Sequence, residues 1–367
     1  VFVLALVVLI IIGGSVWVAT HRDQSRGWRQ ALVIAAGIDD GTRAARTTRR
    51  VLGTEARPIE LVAGLPLPAT LAQSNDGDSH PSIVLLVPGG TTASEDRAVA
   101  DAQRAIAGAG LAGWAVRVRD ADASLADPRV LDELAGMLDA VATHDATRDR
   151  HVSVIAVGPT ASIVLRIAGE RALKQARLRG VVVAAPIADV QGLLRLAVTD
   201  PAAAPELRRT AGEAILRVIS ARVDASSEPF VAPLLEAADR ADDPIAVLKG
   251  IPLALVDTEL RSALALLRSE TPAQFDAAWR AVPLDLQAAA EARSPLPVAA
   301  AVEARVLLVV PSNDGWSQAD AARLAARLSD DRTISVDVDT LLDQGADSAA
   351  ARDLLTVAAW WLSRAGD

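Results

Sequence analysis

The first nineteen positions, Val1 to Ala19, are apolar or small and carry no charge. That is close to the roughly 20 residues a helix needs to cross a ~30 Å hydrocarbon layer. Trp17 stands near the end of the run, and His21, Arg22, Arg26 and Arg29 follow it, which is where interfacial and water-facing residues belong. The run therefore predicts a retained, single-pass transmembrane helix lodged in a lipid bilayer. A signal peptide would have a shorter apolar region, about 7–15 residues, and a small-residue cleavage site. Val18-Ala19-Thr20 is a poor one. The basic residues on the carboxyl flank place the globular part on the cytoplasmic side.

From about residue 30 the pattern alternates short aliphatic runs with helical stretches, the signature of a mostly parallel sheet flanked by helices. The expected fold class is α/β. Residues 58–63 and 67–72 read as two early strands around a Gly64-Leu65-Pro66 turn. Ser82 to Val87 is continuously apolar, as in a strand covered on both faces. Trp114 to Val118, His151 to Val157 and Leu178 to Ala185 follow as strands, separated by helices over 96–110, 128–142 and 163–173. Residues 190 to 294 carry helical periodicity with Pro, Asp and Ser breaks and no strand pattern. Strands resume at 305–310 and 333–338, with helices at 317–328 and 349–364. The chain is thus divided into an anchor (1–20), a juxtamembrane helix or linker (21–54), an α/β domain in two pieces (55–189 and 295–367) and a helical insertion (190–294).

Composition removes several functions. The 367 residues are 51% hydrophobic and carry a net charge of −9, so most of the chain folds and no basic footprint for nucleic acid exists. There is no Cys, and the four histidines, His21, His80, His144 and His151, all lie in the first half. No ligand spacing for a metal and no phosphate-cradling loop is found, so no cofactor is expected. Asp120 and Asp122 follow a strand's carboxyl end, where they would line the pocket, although acidic loops at strand ends are common.

Three segments carry chemistry by their place after strands. Pro88-Gly89-Gly90-Thr91 follows the first buried strand, Gly158-Pro159-Thr160-Ala161-Ser162 joins a strand to a helix, and Pro311-Ser312-Asn313-Asp314 follows a late strand. In that order they resemble the α/β-hydrolase fold superfamily over roughly residues 55 to 365, with the helical insertion where that family places its cap. The resemblance assigns Pro88, Gly89 and Gly90 to an oxyanion loop, Thr160 to the centre of the nucleophile elbow with Ser162 in place of its last glycine, and Asp314 to the acid.

The same resemblance requires a histidine after the acid, and none follows His151. The loop that would present it reads Leu342-Asp343-Gln344-Gly345-Ala346-Asp347-Ser348, and neither Gln nor Asp takes a proton from a hydroxyl as imidazole does. Members of such a triad act as a unit. The expectation is therefore a chain that is not an enzyme but a membrane-anchored accessory subunit or scaffold. Its expected partner is an integral membrane complex, whether respiratory, photosynthetic or envelope-building, with Trp316, Trp360 and Trp361 as interface anchors. The alternatives are an atypical esterase or peptidase-like hydrolase using Thr160 or Ser162, and a small-ligand-binding module using the pocket under the cap.

Overall fold

The computed structural model describes residues 29–30, 32–34, 43–76, 78–88, 93–118, 129–170, 172–203, 205–220, 228–256, 258–311, 315–329 and 333–338. The apolar run Val1 to Ala19, the loop glycines Gly89 and Gly90, Asp120, Asp122, Asp314, Trp360 and Trp361 lie outside them. Among the described residues no helix is long and apolar enough to cross a membrane.

Eight strands form one sheet: β1 Glu60–Val62, β2 Ala69–Ala72, β3 His80–Pro88, β4 Ala112–Val118, β5 Thr147–Val157, β6 Arg177–Ala184, β7 Arg305–Pro311 and β8 Thr333–Val338. Their order across the sheet is β1-β2-β4-β3-β5-β6-β7-β8. β2 pairs antiparallel with both β1 and β4, and every other pairing is parallel. The expected α/β class is observed, and Gly64, with φ of +81°, makes the predicted early turn.

The continuous apolar strands bury both faces by their two-residue alternation. On one face Val84, Leu86, Trp114, Val116, Val154, Val183 and Leu308 meet helices α3 (Val130–Thr143) and α4 (Pro159–Glu170). On the other, Ile83, Leu85, Ile155, Val182 and Leu307 meet α2 (Ala93–Gly108), together with Val33 and Ile34 from the helical residues 32–34. Helix α1 (Arg43–Leu52) ends against this second face, where Leu52 packs.

Between β6 and β7 the described residues form only helices and short 3-10 turns: α5 Val190–Thr199, α6 Pro205–Ser220, α7 Glu228–Asp239, α8 Pro244–Lys249, α9 Thr258–Leu267, α10 Pro272–Trp279 and α11 Leu284–Ala292. Asp189, Asp243 and Thr271 cap three of them by accepting backbone N–H bonds, and two of these caps precede a proline at the first helical position, where its missing donor is no loss. These helices bury their own core around Leu194, Ile215, Ile219, Leu248, Leu264 and Phe275. After β7 comes α12 (Gly315–Ala325).

Helix α4 meets the segment returning from this helical layer at a close approach. A Cβ on Gly169 would lie 2.5 Å from the Val298 carbonyl oxygen and 2.7 Å from its Cγ2. Gly169→Ala is therefore expected to force helix and segment apart and to lower stability by about 1–3 kcal/mol, read as a lower urea midpoint at unchanged slope.

Candidate functional site: the turn after the central strand and the cap junction

β5 lies between β3 and β6, so its carboxyl end opens at the middle of the sheet edge. Strand gives way to helix there within one residue. Gly158 has φ of +60°, a conformation glycine adopts without the Cβ penalty other residues meet. Its N–H donates to the Ala184 carbonyl at 2.8 Å and its carbonyl accepts from Ala161 at 3.0 Å. A Cβ built on Gly158 meets nothing within 4 Å among the described residues.

The sequence places the centre of this turn at Thr160; the structure places the left-handed residue two positions earlier. The cause is Pro159, which begins α4 rather than delaying it, because proline is preorganised for the first helical position. Thr160 is thus already helical, 2% exposed, and Ser162 is 1% exposed. The Ser162 hydroxyl oxygen accepts the Ile187 N–H at 2.7 Å. That bond fixes the segment leaving β6 rather than presenting a nucleophile.

This segment and the one returning from the helical layer are joined by buried polar contacts that no sequence pattern announces. Ala188 N–H donates to the Asp320 carboxylate at 2.8 Å, and Leu296 N–H donates to the Ala188 carbonyl at 3.1 Å. Val190 N–H donates to the Ser294 hydroxyl at 3.0 Å, and the Arg166 guanidinium donates to the Ser294 carbonyl at 3.2 Å. Asp320, on α12, is 3% exposed. Burial pushes its carboxyl above the ordinary value, opposed by the Ala188 bond and by Arg323. Arg323 bridges Asp320 (2.9 Å) to Asp189 (3.3 Å), the residue that caps α5.

The three described histidines do not join this edge. His80 opens β3, and its Nε2 lies 2.9 Å from Asp76, whose carboxyl that bond holds below its usual range. His151 sits in β5 ahead of the buried stretch, held below its usual value by burial and by Arg179, which donates to its Nε2 at 3.1 Å. His144 caps the end of α3, and its ring stands T-shaped to that of Trp114. Pro88 closes β3 at the same carboxyl edge as Gly158, and Trp316 lies in the first turn of α12. No group of three His, Cys, Asp or Glu able to hold a metal occurs among the described residues. A cleft of about 170 Å³ lies away from the turn, between the β1–β2 hairpin, α2 and β4, with Leu61, Val87, Val99, Gln103 and Arg117 among its walls.

A sheet in this order with β2 alone reversed, a sharp turn from β5 into a helix, and a helical cap inserted after β6 define the α/β-hydrolase fold. No protein-family profile matches the chain, and no curated protein matches it. Solved structures do. An esterase from Pyrobaculum calidifontis is 11% identical, with 93% of this chain and 92% of that one covered at a TM-score of 0.47. A haloalkane dehalogenase DbeA-M1 loop variant from Bradyrhizobium elkanii is 16% identical, with coverages of 85% and 98% and a TM-score of 0.45. Carboxyl esterase 2 from Tuber melanosporum is 13% identical, with coverages of 85% and 87% and a TM-score of 0.48.

The expectation of a chain that is not an enzyme is corrected here. The solved structures it matches are of a dehalogenase and esterases, and Asp314 and the whole segment after β8, on which that expectation leaned, lie outside the described residues.

Proposed function

We propose that this chain is an atypical hydrolase that binds a small ester or related acyl substrate at the carboxyl edge of the sheet, beneath the cap, and attacks it with water. The observation that carries this reading is the turn at Gly158, where no described residue comes within 4 Å of the position a Cβ would take, while the nearby hydroxyls of Thr160 and Ser162 are buried. Water adds to the acyl carbon, the acyl–oxygen bond breaks, and acid and alcohol leave. Asp314, which precedes α12 in the sequence, is the group assigned to take the water proton and return it to the oxygen of the departing alcohol. A carboxylate is a weak base, so turnover is slow.

The test is hydrolysis of p-nitrophenyl acetate and butyrate by the purified full chain, alongside a serine-reactive fluorophosphonate. Slow turnover without a burst, without labelling, and at least about tenfold weaker in Asp314→Asn is the expected result. Labelling at Thr160 or Ser162 would replace water by a side-chain nucleophile. Saturable ester binding with no turnover above the heat-denatured chain would overturn hydrolysis in favour of the small-ligand-binding function, which the missing side chain at Gly158 also fits.

The proposed setting is a membrane. Val1 to Ala19 supply the anchor, and an integral membrane complex is the proposed partner, whose identity by mass spectrometry after mild detergent extraction is the direct check.

A further inference from the structure

We propose that helix α1 is a lipid-contacting surface that lays the domain against anionic headgroups, an inference that rests on the anchoring role given above to Val1 to Ala19. The chain as a whole has a net charge of −9, yet α1 reads Arg43-Ala-Ala-Arg46-Thr-Thr-Arg49-Arg50-Val-Leu52, four arginines and no acid in ten residues. Arg43, Arg46 and Arg50 recur at i, i+3 and i+7, which puts them on one stripe of the helix. Arg50 and Thr47 are exposed, and Val51 is 71% exposed. An exposed aliphatic among arginines suits an interface where the charges meet phosphate and the apolar group meets the acyl boundary.

The tether fixes which face meets the bilayer. Gln30, Val33 and Ile34 are buried against the domain, and ten residues lie between Ala19 and Gln30, at most about 40 Å of chain and much less if helical. The same place holds the end of α1. Thr54 N–H donates to the Gly108 carbonyl at 2.7 Å, Leu52 packs into the core that holds Val33 and Ile34, and a Cβ on Gly108 would touch both the Thr54 carbonyl oxygen and Val33 Cγ1. The point where the anchor joins the domain and the carboxyl end of α1 are therefore one patch, and α1, about 15 Å long, extends from it. Arginines beside an anchored segment gain far more from an anionic surface than the same residues on a freely diffusing domain, because the tether raises their effective concentration at it.

The chain has no cysteine, so Val51→Cys gives the full-length protein a unique site for an environment-sensitive fluorophore. The labelled protein is reconstituted into phosphatidylcholine vesicles, and into vesicles holding about 30% phosphatidylglycerol, both carrying nitroxide-headgroup lipid. Expected is at least roughly twofold stronger quenching in the anionic vesicles, abolished by about 0.5 M salt and by the triple change Arg46→Gln, Arg49→Gln, Arg50→Gln. Equal quenching in both lipids, or quenching indifferent to salt, would overturn the proposal while co-flotation with both vesicles left the anchor standing. Flotation with anionic vesicles alone would support α1 and sink the anchor. Flotation with neither overturns both.

Discussion

Trp114→Ala is expected to lower the unfolding free energy by about 3–5 kcal/mol, against a total of about 5–15 kcal/mol for a typical domain. Trp114 is fully buried at the middle of β4, within the core face shared with α3. Its indole N–H donates to the Ser82 hydroxyl at 3.2 Å, and that hydroxyl also meets Thr147 at 2.6 Å. The ring presents its face or edge to His144 at 4.9 Å between centroids and 84° between planes, a favoured T-shaped contact. Truncation empties a large volume that strands on both sides cannot collapse to fill. Trp114→Phe, which keeps a ring and drops the donor, is expected to cost roughly 1–2 kcal/mol. Urea unfolding followed by circular dichroism measures both, and a loss for Trp114→Ala no larger than that for Trp114→Phe would show that the site repacks.

Asp320 carries the second large effect. Asp320→Ala leaves the buried Ala188 N–H without its acceptor and Arg323 without its nearer carboxylate, an expected loss of about 2–4 kcal/mol. Asp320→Asn keeps an acceptor for Ala188 and removes a buried charge, so at neutral pH it is expected within about 1 kcal/mol of wild type. The pH dependence has a definite sign. Burial raises the carboxyl above its ordinary 3.8, with the neighbouring Asp189 pushing the same way and Arg323 opposing. The folded protein therefore holds this proton more readily than the unfolded chain. The stability this contributes is fully present below the ordinary value and is lost as pH rises through the raised one. Measured against Asp320→Asn, wild type should gain stability as pH falls from neutral toward 4, roughly the ordinary carboxylate range. A gain on raising the pH would contradict the assignment.

What the sequence discloses follows from the range of the interactions involved. Strands β3 to β7 are legible because burial on both faces demands unbroken aliphatic runs, a local signal. The early hairpin is legible through Gly64. The turn after β5 is misregistered by two residues because Pro159 is ambiguous in sequence: it breaks a helix it interrupts and starts one it begins. The remote contacts are illegible altogether. Ser162, Ser294 and Asp320 are unremarkable polar residues until the fold brings each to a backbone N–H, at sequence separations of 25, 104 and 132 residues. Asp139 is similar, its carboxylate accepting from the N–H groups of Lys174, Gln175 and Ala176 in the loop before β6.

The cap leaves and rejoins the sheet domain at Ala188 and Leu296, which share a backbone hydrogen bond of 3.1 Å, and it buries a core of its own. Two strands of chain that close together form a natural splice point. A few residues bridging them would restore the path from β6 to β7 without altering a single strand pairing, so lineages sharing this scaffold are free to enlarge, shrink or exchange the cap as a cassette. What the cap presents to the sheet edge can then diverge while the sheet beneath it keeps the pairings that stabilise it.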